Sequence, residues 1–163
     1  MPKCTFLVGV PGSGKSTWLK GQELWTLIVS TDNIIEELAE TYGLTYDQVF
    51  KDTIRFAELV INNEMDKAIA ETDDYGDANF HIDRTNLTVK SRRKFIEKLK
   101  PHGYEFEAVV FPMPGTEKLS QEEWNRRLDS RPGKTIPGHI LSSMIEHYEP
   151  PTEAEGFDKI IFL

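Results

Sequence analysis

Short apolar runs alternate along this chain with longer segments in which apolar residues recur at helical spacing. The apolar runs predict five buried strands, over 5–8, 27–30, 78–82, 104–111 and 159–163. The periodic segments predict helices over 16–20, 31–40, 46–70, 89–100, 122–129 and 137–148, and the acidic stretch 72–77 predicts a turn. Strands that alternate with helices indicate an α/β fold, a three-layer sandwich around a mostly parallel five-stranded sheet.

Polar side chains follow the first three predicted strands. Lys15 and Ser16 come after the first strand, Asp32 after the second, and Asp83 ends the third. Ligands of parallel α/β sheets bind beyond the carboxyl ends of the strands. We therefore expect these four side chains to meet in one cleft.

The residues between the first strand and the first helix form a complete phosphate-binding loop, G-x-x-x-x-G-K-S over 9–16. Backbone N–H groups of such a loop surround phosphate oxygens, while Lys15 reaches the β- and γ-phosphates and the Ser16 hydroxyl binds Mg²⁺. The pattern predicts ATP and Mg²⁺ as cofactors. The predicted ATP-binding residues are Gly12, Ser13, Gly14, Lys15, Ser16 and Thr17.

A phosphate-binding loop occurs in motors, switches and kinases, and the small size of the chain favours a kinase. Asp32 is placed to accept a proton from an attacking hydroxyl. Asp83 is placed to bind the water molecules that coordinate the metal ion, and so to act in the second shell of the metal. Each carboxylate has a simpler alternative, since Asp32 is a plausible helix N-cap and Asp83 a plausible capping turn before the next helix.

Three arginines, Arg126, Arg127 and Arg131, lie between the fourth strand and the helix that Pro137 opens. At helical spacing Arg127 and Arg131 fall on one face. Arginines stabilise the charge that develops in phosphoryl transfer, and we expect a helical lid over about 116–136 to close over the nucleotide. A solvated basic helix is the alternative, because acidic residues flank these arginines.

Composition and charge limit the classes of protein to which this chain can belong. The chain has 163 residues, 39% hydrophobic and 28% charged, which fits one soluble domain over 1–163. We expect no membrane partner and no signal peptide, and the single cysteine, Cys4, is expected in the core of a cytoplasmic protein (of the host cell, if viral). Oligomeric state is left open.

The net charge of −8 is unevenly distributed. Residues 32–77 contain 13 acidic and 3 basic side chains, whereas seven basic side chains and one acidic side chain lie in 84–100. The basic segment predicts either a local surface for an anionic ligand or a solvated helix face.

Four segments in order resemble the 5′-kinase domain of phage and animal polynucleotide kinases. They are 8–18 (VGVPGSGKSTW), 30–32 (STD), 83–87 (DRTNL), and the set Arg127, Arg131 and Ile136-Pro137. The resemblance spans nearly the whole chain. It implies transfer of the γ-phosphate of ATP to the 5′-hydroxyl of DNA or RNA, in the repair or modification of nucleic acid ends.

The resemblance also implies residue roles. Asp32 resembles the general base, Lys15 and Ser16 match the ATP and magnesium contacts, and Arg131 matches the lid arginine that grips the phosphates, with Arg127 as a second. The residues Asp83, Arg84, Thr85 and Asn86 resemble the turn beside the reaction centre, next to the substrate.

Two features depart from that family. The phage enzyme has an arginine three residues after its general base that contacts a substrate phosphate, and here the position is Ile35. The phosphatase domain often fused to the kinase is not expected in this chain. The alternatives are therefore a kinase for a nucleoside, a nucleotide, another small alcohol or a hydroxymethylated DNA base, and a non-catalytic ATP-binding switch.

Overall fold

The computed structural model describes residues 1–22, 25–71 and 78–163. The predicted turn at 72–77 lies outside the described residues. The strands are β1 (Lys3–Val8), β2 (Thr26–Val29), β3 (Asn79–Asp83), β4 (Glu105–Val110) and β5 (Lys159–Phe162). The described helices are α1 (Lys15–Leu19), α2 (Thr31–Tyr42), α3 (Tyr46–Ala70), α4 (Val89–Leu99), α5 (Gln121–Asp129) and α6 (Gly138–Glu146).

The five strands form one sheet in the order β2-β3-β1-β4-β5, and each pair of neighbours is parallel. The predicted α/β sandwich is therefore confirmed, and its sheet is parallel throughout the part that the structure describes. Short 3₁₀ turns follow α4 and precede β5.

Alternate residues of β1 face opposite sides of the sheet, as the two-residue period of a strand requires. Phe6 and Val8 enter the main core with residues of α3 and α4. Leu7 enters a second core on the other face, where Trp18 and Leu19 of α1 pack. Both clusters are fully or nearly fully buried, because a parallel sheet needs a covered face on each side.

Local sequence signals define α2 and α3. The Ser30 hydroxyl accepts a hydrogen bond from the N–H of Asn33, and Gly43 ends α2 in a left-handed conformation. A capping box between Thr45 and Gln48 then begins α3. The two helices are joined by residues 43–45 and pack against each other.

The apolar pattern of 46–70 correctly predicts a helix but only partly its buried face. Ala57, Ile61 and Met65 are buried, whereas the side chains of Phe56 and Leu59 are more than half exposed. Helical periodicity fixes the angle between side chains, but the surfaces that cover them depend on neighbouring elements.

Candidate active site

The phosphate-binding loop joins β1 to α1 and contains two glycines with positive φ, Gly12 at 77° and Gly14 at 110°. Side chains rarely tolerate this conformation, so glycine allows the turn. The Lys15 ammonium donates to the carbonyl oxygens of Gly9 at 2.9 Å and Val10 at 3.0 Å. The lysine thus lies across its own loop, in place for a phosphate.

Burial lowers the pKa of Lys15 to about 8, and the negative charges of Asp83 and Asp32 oppose this shift. A buried ammonium interacts strongly with an entering phosphate. Lys15 follows β1, Asp32 follows β2 and Asp83 ends β3, and these parallel strands are neighbours in the order β2-β3-β1, so their carboxyl ends lie at one edge of the sheet.

The loop fits a triphosphate and its metal ion. The Ser13 hydroxyl is buried without a hydrogen-bond partner, as expected for a group that awaits a ligand. Ser16 and Thr17 are exposed in the first turn of α1. The Ser16 hydroxyl would hold Mg²⁺ together with nucleotide phosphates, as the loop motif predicts. In the part of the chain that the structure describes, no three His, Cys, Asp or Glu side chains form a metal cluster.

Asp32 lies in the first turn of α2, and its side chain is 50% exposed. The Tyr46 hydroxyl donates to its Oδ1 at 2.6 Å, and the Lys134 ammonium donates to its Oδ2 at 3.0 Å. The N-cap of α2 is Ser30, so the alternative that Asp32 is the cap is wrong.

Opposing effects determine the pKa of Asp32. Burial raises it, but the Tyr46 hydrogen bond and the Lys134 charge together outweigh burial, and the net pKa lies below the ordinary value. Asp32 is therefore ionised near neutral pH and able to accept a proton. Each carboxylate oxygen accepts two hydrogen bonds, so the two protein contacts leave room for an acceptor hydroxyl.

Asp83 is the last residue of β3, paired in register with Leu7 of β1. Burial raises its pKa, Lys15 opposes this shift, and Asp32 adds to it. The cap of the next helix is Thr88, which forms a capping box with Ser91, so Asp83 is not that cap. Its position beside Lys15 leaves the predicted role near the metal open to it.

The turn after β3 fixes the loop to the sheet. The Gly9 N–H donates to the Thr85 carbonyl at 3.0 Å. Asn86 is buried with φ at 49°, and its amide donates to the carbonyls of Leu7 and Ile82 at 2.8 and 2.9 Å. Asparagine tolerates the left-handed region, so Asn86 acts here as a structural clamp between β1 and β3.

Arg84 points to α3, where its guanidinium pairs with the Glu58 carboxylate at 2.7 Å. This hydrogen-bonded ion pair lowers the pKa of Glu58. The structure therefore places Arg84 in an ion pair with α3.

Helix α5, within the predicted lid, lies on the phosphate-binding loop. The Trp124 indole donates to the Pro11 carbonyl at 2.7 Å, and Arg127 Nη1 donates to the Gly12 carbonyl at 3.2 Å. Arg126 and Arg127 both pair with Glu123, and the Arg126 side chain is mostly exposed. The lid thus contacts the loop that is predicted to hold the phosphates.

Arg131 lies beyond the end of α5, so the expectation that it shares a helical face with Arg127 is wrong. Asp129 ends the helix and Ser130 caps it, which turns the chain away from the helix axis. Arg131 instead borders a cleft of about 430 Å³ between the lid and the connection from α2 to α3. This α2–α3 cleft is lined by Glu36, Ala39, Glu40, Leu44, Thr45, Tyr46, Arg131, Pro132 and Lys134.

A known protein family matches most of the chain. The AAA_33 family, described as an AAA domain, matches residues 5–151. The chain belongs to this family. A search of curated proteins finds no significant relative.

Two solved structures share the fold. A protein of provisional kinase assignment from Chloroflexus aurantiacus has a TM-score of 0.66 at 14% identity, over 99% of this chain and 87% of that one. A fungal RNA kinase has a TM-score of 0.55 at 18% identity, over 100% of this chain and 75% of that one. The AAA_33 chain therefore has a P-loop kinase fold, which implies ATP and typically Mg²⁺.

Two side chains of this AAA_33 site, Tyr46 and Lys134, carry no motif. Both hold Asp32, and the Lys134 ammonium also lies 4.5 Å from the centroid of the Tyr46 ring. Only the fold brings them together, because Lys134 is 102 residues from Asp32. The sequence indicates basic residues in the predicted lid, but the pattern there draws attention to the arginines and not to Lys134.

The basic segment 84–100 is partly neutralised by internal pairs. Arg84 pairs with Glu58, Arg92 with Glu155, and Lys98 with Asp66. Arg92 is completely buried and also donates to the Asn86 carbonyl at 2.8 Å. The surface predicted for an anionic ligand therefore offers fewer available charges than the sequence suggests.

None of the helices within the described residues is long and apolar enough to cross a membrane.

Proposed function

We propose that this chain is an ATP-dependent kinase that transfers the γ-phosphate to a hydroxyl group, with the 5′-hydroxyl of a polynucleotide as its acceptor. The observation that carries the proposal is the meeting of Lys15 and Asp32 at one edge of the sheet, beneath a lid that donates Arg127 to the loop. A donor-phosphate site and an ionised carboxylate are the two parts that phosphoryl transfer to an alcohol requires.

The proposed reaction moves one phosphoryl group from ATP to the acceptor and releases one proton. The acceptor O–H gives its proton to Asp32 while its oxygen bonds to the γ-phosphorus. The bond from that phosphorus to the bridging oxygen breaks, ADP leaves with the electron pair, and Asp32 releases the proton to solvent. Lys15, Arg127 and Arg131 stabilise the charge on the phosphate oxygens. Ser16 would hold Mg²⁺ together with the nucleotide, and the ion would neutralise further charge on the phosphates.

Support for a polynucleotide acceptor comes from the four motifs of the polynucleotide kinase type and their order in the chain. A fungal RNA kinase among the structures with this fold is compatible with it. Arg131 borders the α2–α3 cleft and is a cation available to a backbone phosphate there, whereas Lys134 is paired with Asp32 and Glu36.

A small alcohol or a single nucleoside or nucleotide is the second candidate acceptor, and specific observations favour it. Ile35 is completely buried against α3, so the position of the substrate-binding arginine in phage enzymes faces the core here. Glu36 and Glu40 line the α2–α3 cleft and would repel a phosphate backbone. If the acceptor is a polynucleotide, we therefore expect the protein to contact only a short length of the strand.

An acceptor panel tests the proposal. The purified chain is incubated with γ-labelled ATP and Mg²⁺, together with 5′-hydroxyl DNA and RNA oligonucleotides, nucleosides, nucleotides, small alcohols and DNA containing hydroxymethylated bases. Label at oligonucleotide 5′ ends supports the lead candidate, and label only on small molecules supports the second. Asp32→Asn protein, prepared in parallel, excludes a contaminating kinase.

Salt dependence separates the two acceptors further. KM for a polynucleotide rises with salt, because counterions return to its phosphates, whereas KM for an uncharged nucleoside does not. We expect a shallow slope, since few cations face the cleft. ATP binding without transfer to any acceptor would instead indicate the non-catalytic switch.

A further inference from the structure

The part of the lid after α5, residues 131–135, is bound to the start of α3. The Asp47 N–H donates to the Gly133 carbonyl at 2.9 Å, and the Thr135 N–H donates to the Asp47 carboxylate at 2.8 Å. The first N–H groups of a helix lack partners within the helix, so this loop carbonyl satisfies one of them. We call this segment the lid loop.

Gly133 allows the approach of the lid loop to α3. Its φ is +72°, and a Cβ atom added there would lie 2.7 Å from the Cβ of Thr45. Both the backbone conformation and the available space therefore require glycine. The contact is closely fitted, and its neighbour along the chain is Lys134.

Lys134 joins the lid loop to the proposed base. Its ammonium donates to Asp32 Oδ2 at 3.0 Å and to Glu36 Oε1 at 2.7 Å, and its side chain is only 15% exposed. The ammonium is largely withdrawn from water, so solvent and salt screen its two carboxylate contacts less than they screen an exposed ion pair. The Lys134 contact and the Tyr46 hydroxyl together fix both oxygens of Asp32.

Charged and titratable groups surround Asp32 on several elements. They are Glu36 on α2, Tyr46 on α3, Arg131 and Lys134 on the lid loop, Lys15 on the phosphate-binding loop and Asp83 on β3. Tyr46 remains a neutral donor, because burial and the contact with Asp32 raise its pKa. Of these groups, Arg131 and Lys134 lie on the lid loop, so their distance from Asp32 depends on whether the lid is docked.

The other end of the lid contacts the donor site. Trp124 and Arg127 bind carbonyls of the phosphate-binding loop, whereas Lys134 binds the base. One continuous segment of chain therefore contacts both the ATP side and the acceptor side of the reaction.

We propose that Lys134 is a positioning residue for Asp32, which orients the carboxylate toward the acceptor hydroxyl when the lid is docked. This inference rests on the proposed function and adds to it a coupling between lid closure and the base. When the lid opens, Asp32 loses one of its two fixed hydrogen bonds and the cation beside it. Full base activity then requires the same docked lid that contacts the phosphate-binding loop.

Three lid variants test the proposal. Lys134→Met removes the charge and keeps the bulk, Lys134→Arg restores a charge, and Lys118→Met removes an exposed lid lysine as the matched control. We expect K134M to lower kcat about tenfold, a part of the effect of general-base catalysis, with KM for ATP nearly unchanged. Loss of the cation raises the pKa of Asp32, so the acid limb of the pH–rate profile of K134M moves to higher pH. K134R recovers part of the rate and K118M matches wild type.

A second measurement does not depend on activity. Carboxyl ¹³C NMR, with the Asp32 signal assigned from its loss in D32N, follows the titration of Asp32 in wild type and in K134M. We expect the titration to move to higher pH in K134M and to return toward wild type in K134R. Gly133→Ala, which retains Lys134 but disturbs the loop, shifts it in the same direction as K134M.

Distinct results overturn the two proposals. If wild type phosphorylates no acceptor in the panel, the proposed function fails, and the NMR titration still decides whether Lys134 acts on Asp32. An unchanged Asp32 titration in folded K134M overturns the positioning role. So does a K134M enzyme whose kcat and acid limb equal those of wild type.

Discussion

The indole N–H of Trp124 donates a hydrogen bond to the carbonyl oxygen of Pro11 at 2.7 Å, across 113 residues of sequence. This contact places α5 directly on the phosphate-binding loop. The Trp124 ring is also close to Gly12, where an added Cβ would lie 3.4 Å from it. In this structure the predicted lid is therefore packed on the phosphate-binding loop.

We predict that Trp124→Phe weakens the affinity for an ATP analogue roughly fivefold, the equivalent of about 1 kcal/mol for one lost hydrogen bond. The ring packing is kept, so the fold is retained, but the lid docks less of the time on the loop. Isothermal calorimetry measures the change. Trp25→Phe, at a side chain that is 90% exposed, is the control, and equal weakening in both variants would contradict the role of Trp124.

We predict that Lys15→Ala reduces ATP affinity by roughly tenfold to a hundredfold, because hydrogen bonds to charged groups contribute about 1.5–3 kcal/mol. Binding of ATP followed by calorimetry, with exposed Lys20→Ala as the control, checks this. Unchanged nucleotide affinity in K15A would show that Lys15 does not contact the phosphates.

We predict that Asp32→Asn lowers kcat by roughly a hundredfold or more, the scale of general-base catalysis, while ATP affinity stays close to wild type. The amide keeps the shape of the carboxylate but cannot take the acceptor proton. Rates are measured with saturating ATP and the best acceptor of the panel. Glu37→Gln, at an exposed position of the same helix, should keep full activity, and an active D32N would remove Asp32 from the role of base.

We predict that His81 makes the fold sensitive to mild acid. His81 lies beside Trp18, with ring centroids 5.4 Å apart, and burial lowers its pKa. The unfolded chain therefore binds a proton near pH 6.5 that the folded chain refuses, and the free energy of unfolding falls as pH drops below that value.

Urea unfolding at pH 7 and pH 5.5 measures this effect in wild type and His81→Gln. Wild type should lose more stability over that interval, by up to about 1.4 kcal/mol per pH unit for one proton. His102→Gln, which removes an exposed histidine, is the control. Equal losses in wild type and H81Q would contradict the prediction.

The elements of the fold were largely predictable because their signals are local. Buried strands appear as apolar runs, and α2 appears as an apolar periodic segment. The sequence places Ser30 in the second strand and predicts the cap at Thr31 or Asp32, whereas the strand ends at Val29 and Ser30 is the cap. All three residues have suitable oxygens. Which of them caps depends on where the strand ends and the backbone turns.

The site was predictable only along the strand ends. Lys15, Asp32 and Asp83 meet because parallel strands bring their carboxyl ends to one edge. The sequence does not indicate separate roles for Arg84 and Asn86, because it shows them only as parts of one motif, DRTNL. Arg84 pairs with Glu58 of α3, and Asn86 clamps two strands.

The sequence by itself determined the donor side of this protein. The glycines and Lys15 of the phosphate-binding loop act through their own backbone and through adjacent residues, so their spacing is sufficient. Only the tertiary structure decided the surroundings of Asp32. Tyr46 and Lys134 reach that carboxylate through packing between α2, α3 and the lid, and such long-range contacts leave no periodic or spaced pattern in the chain.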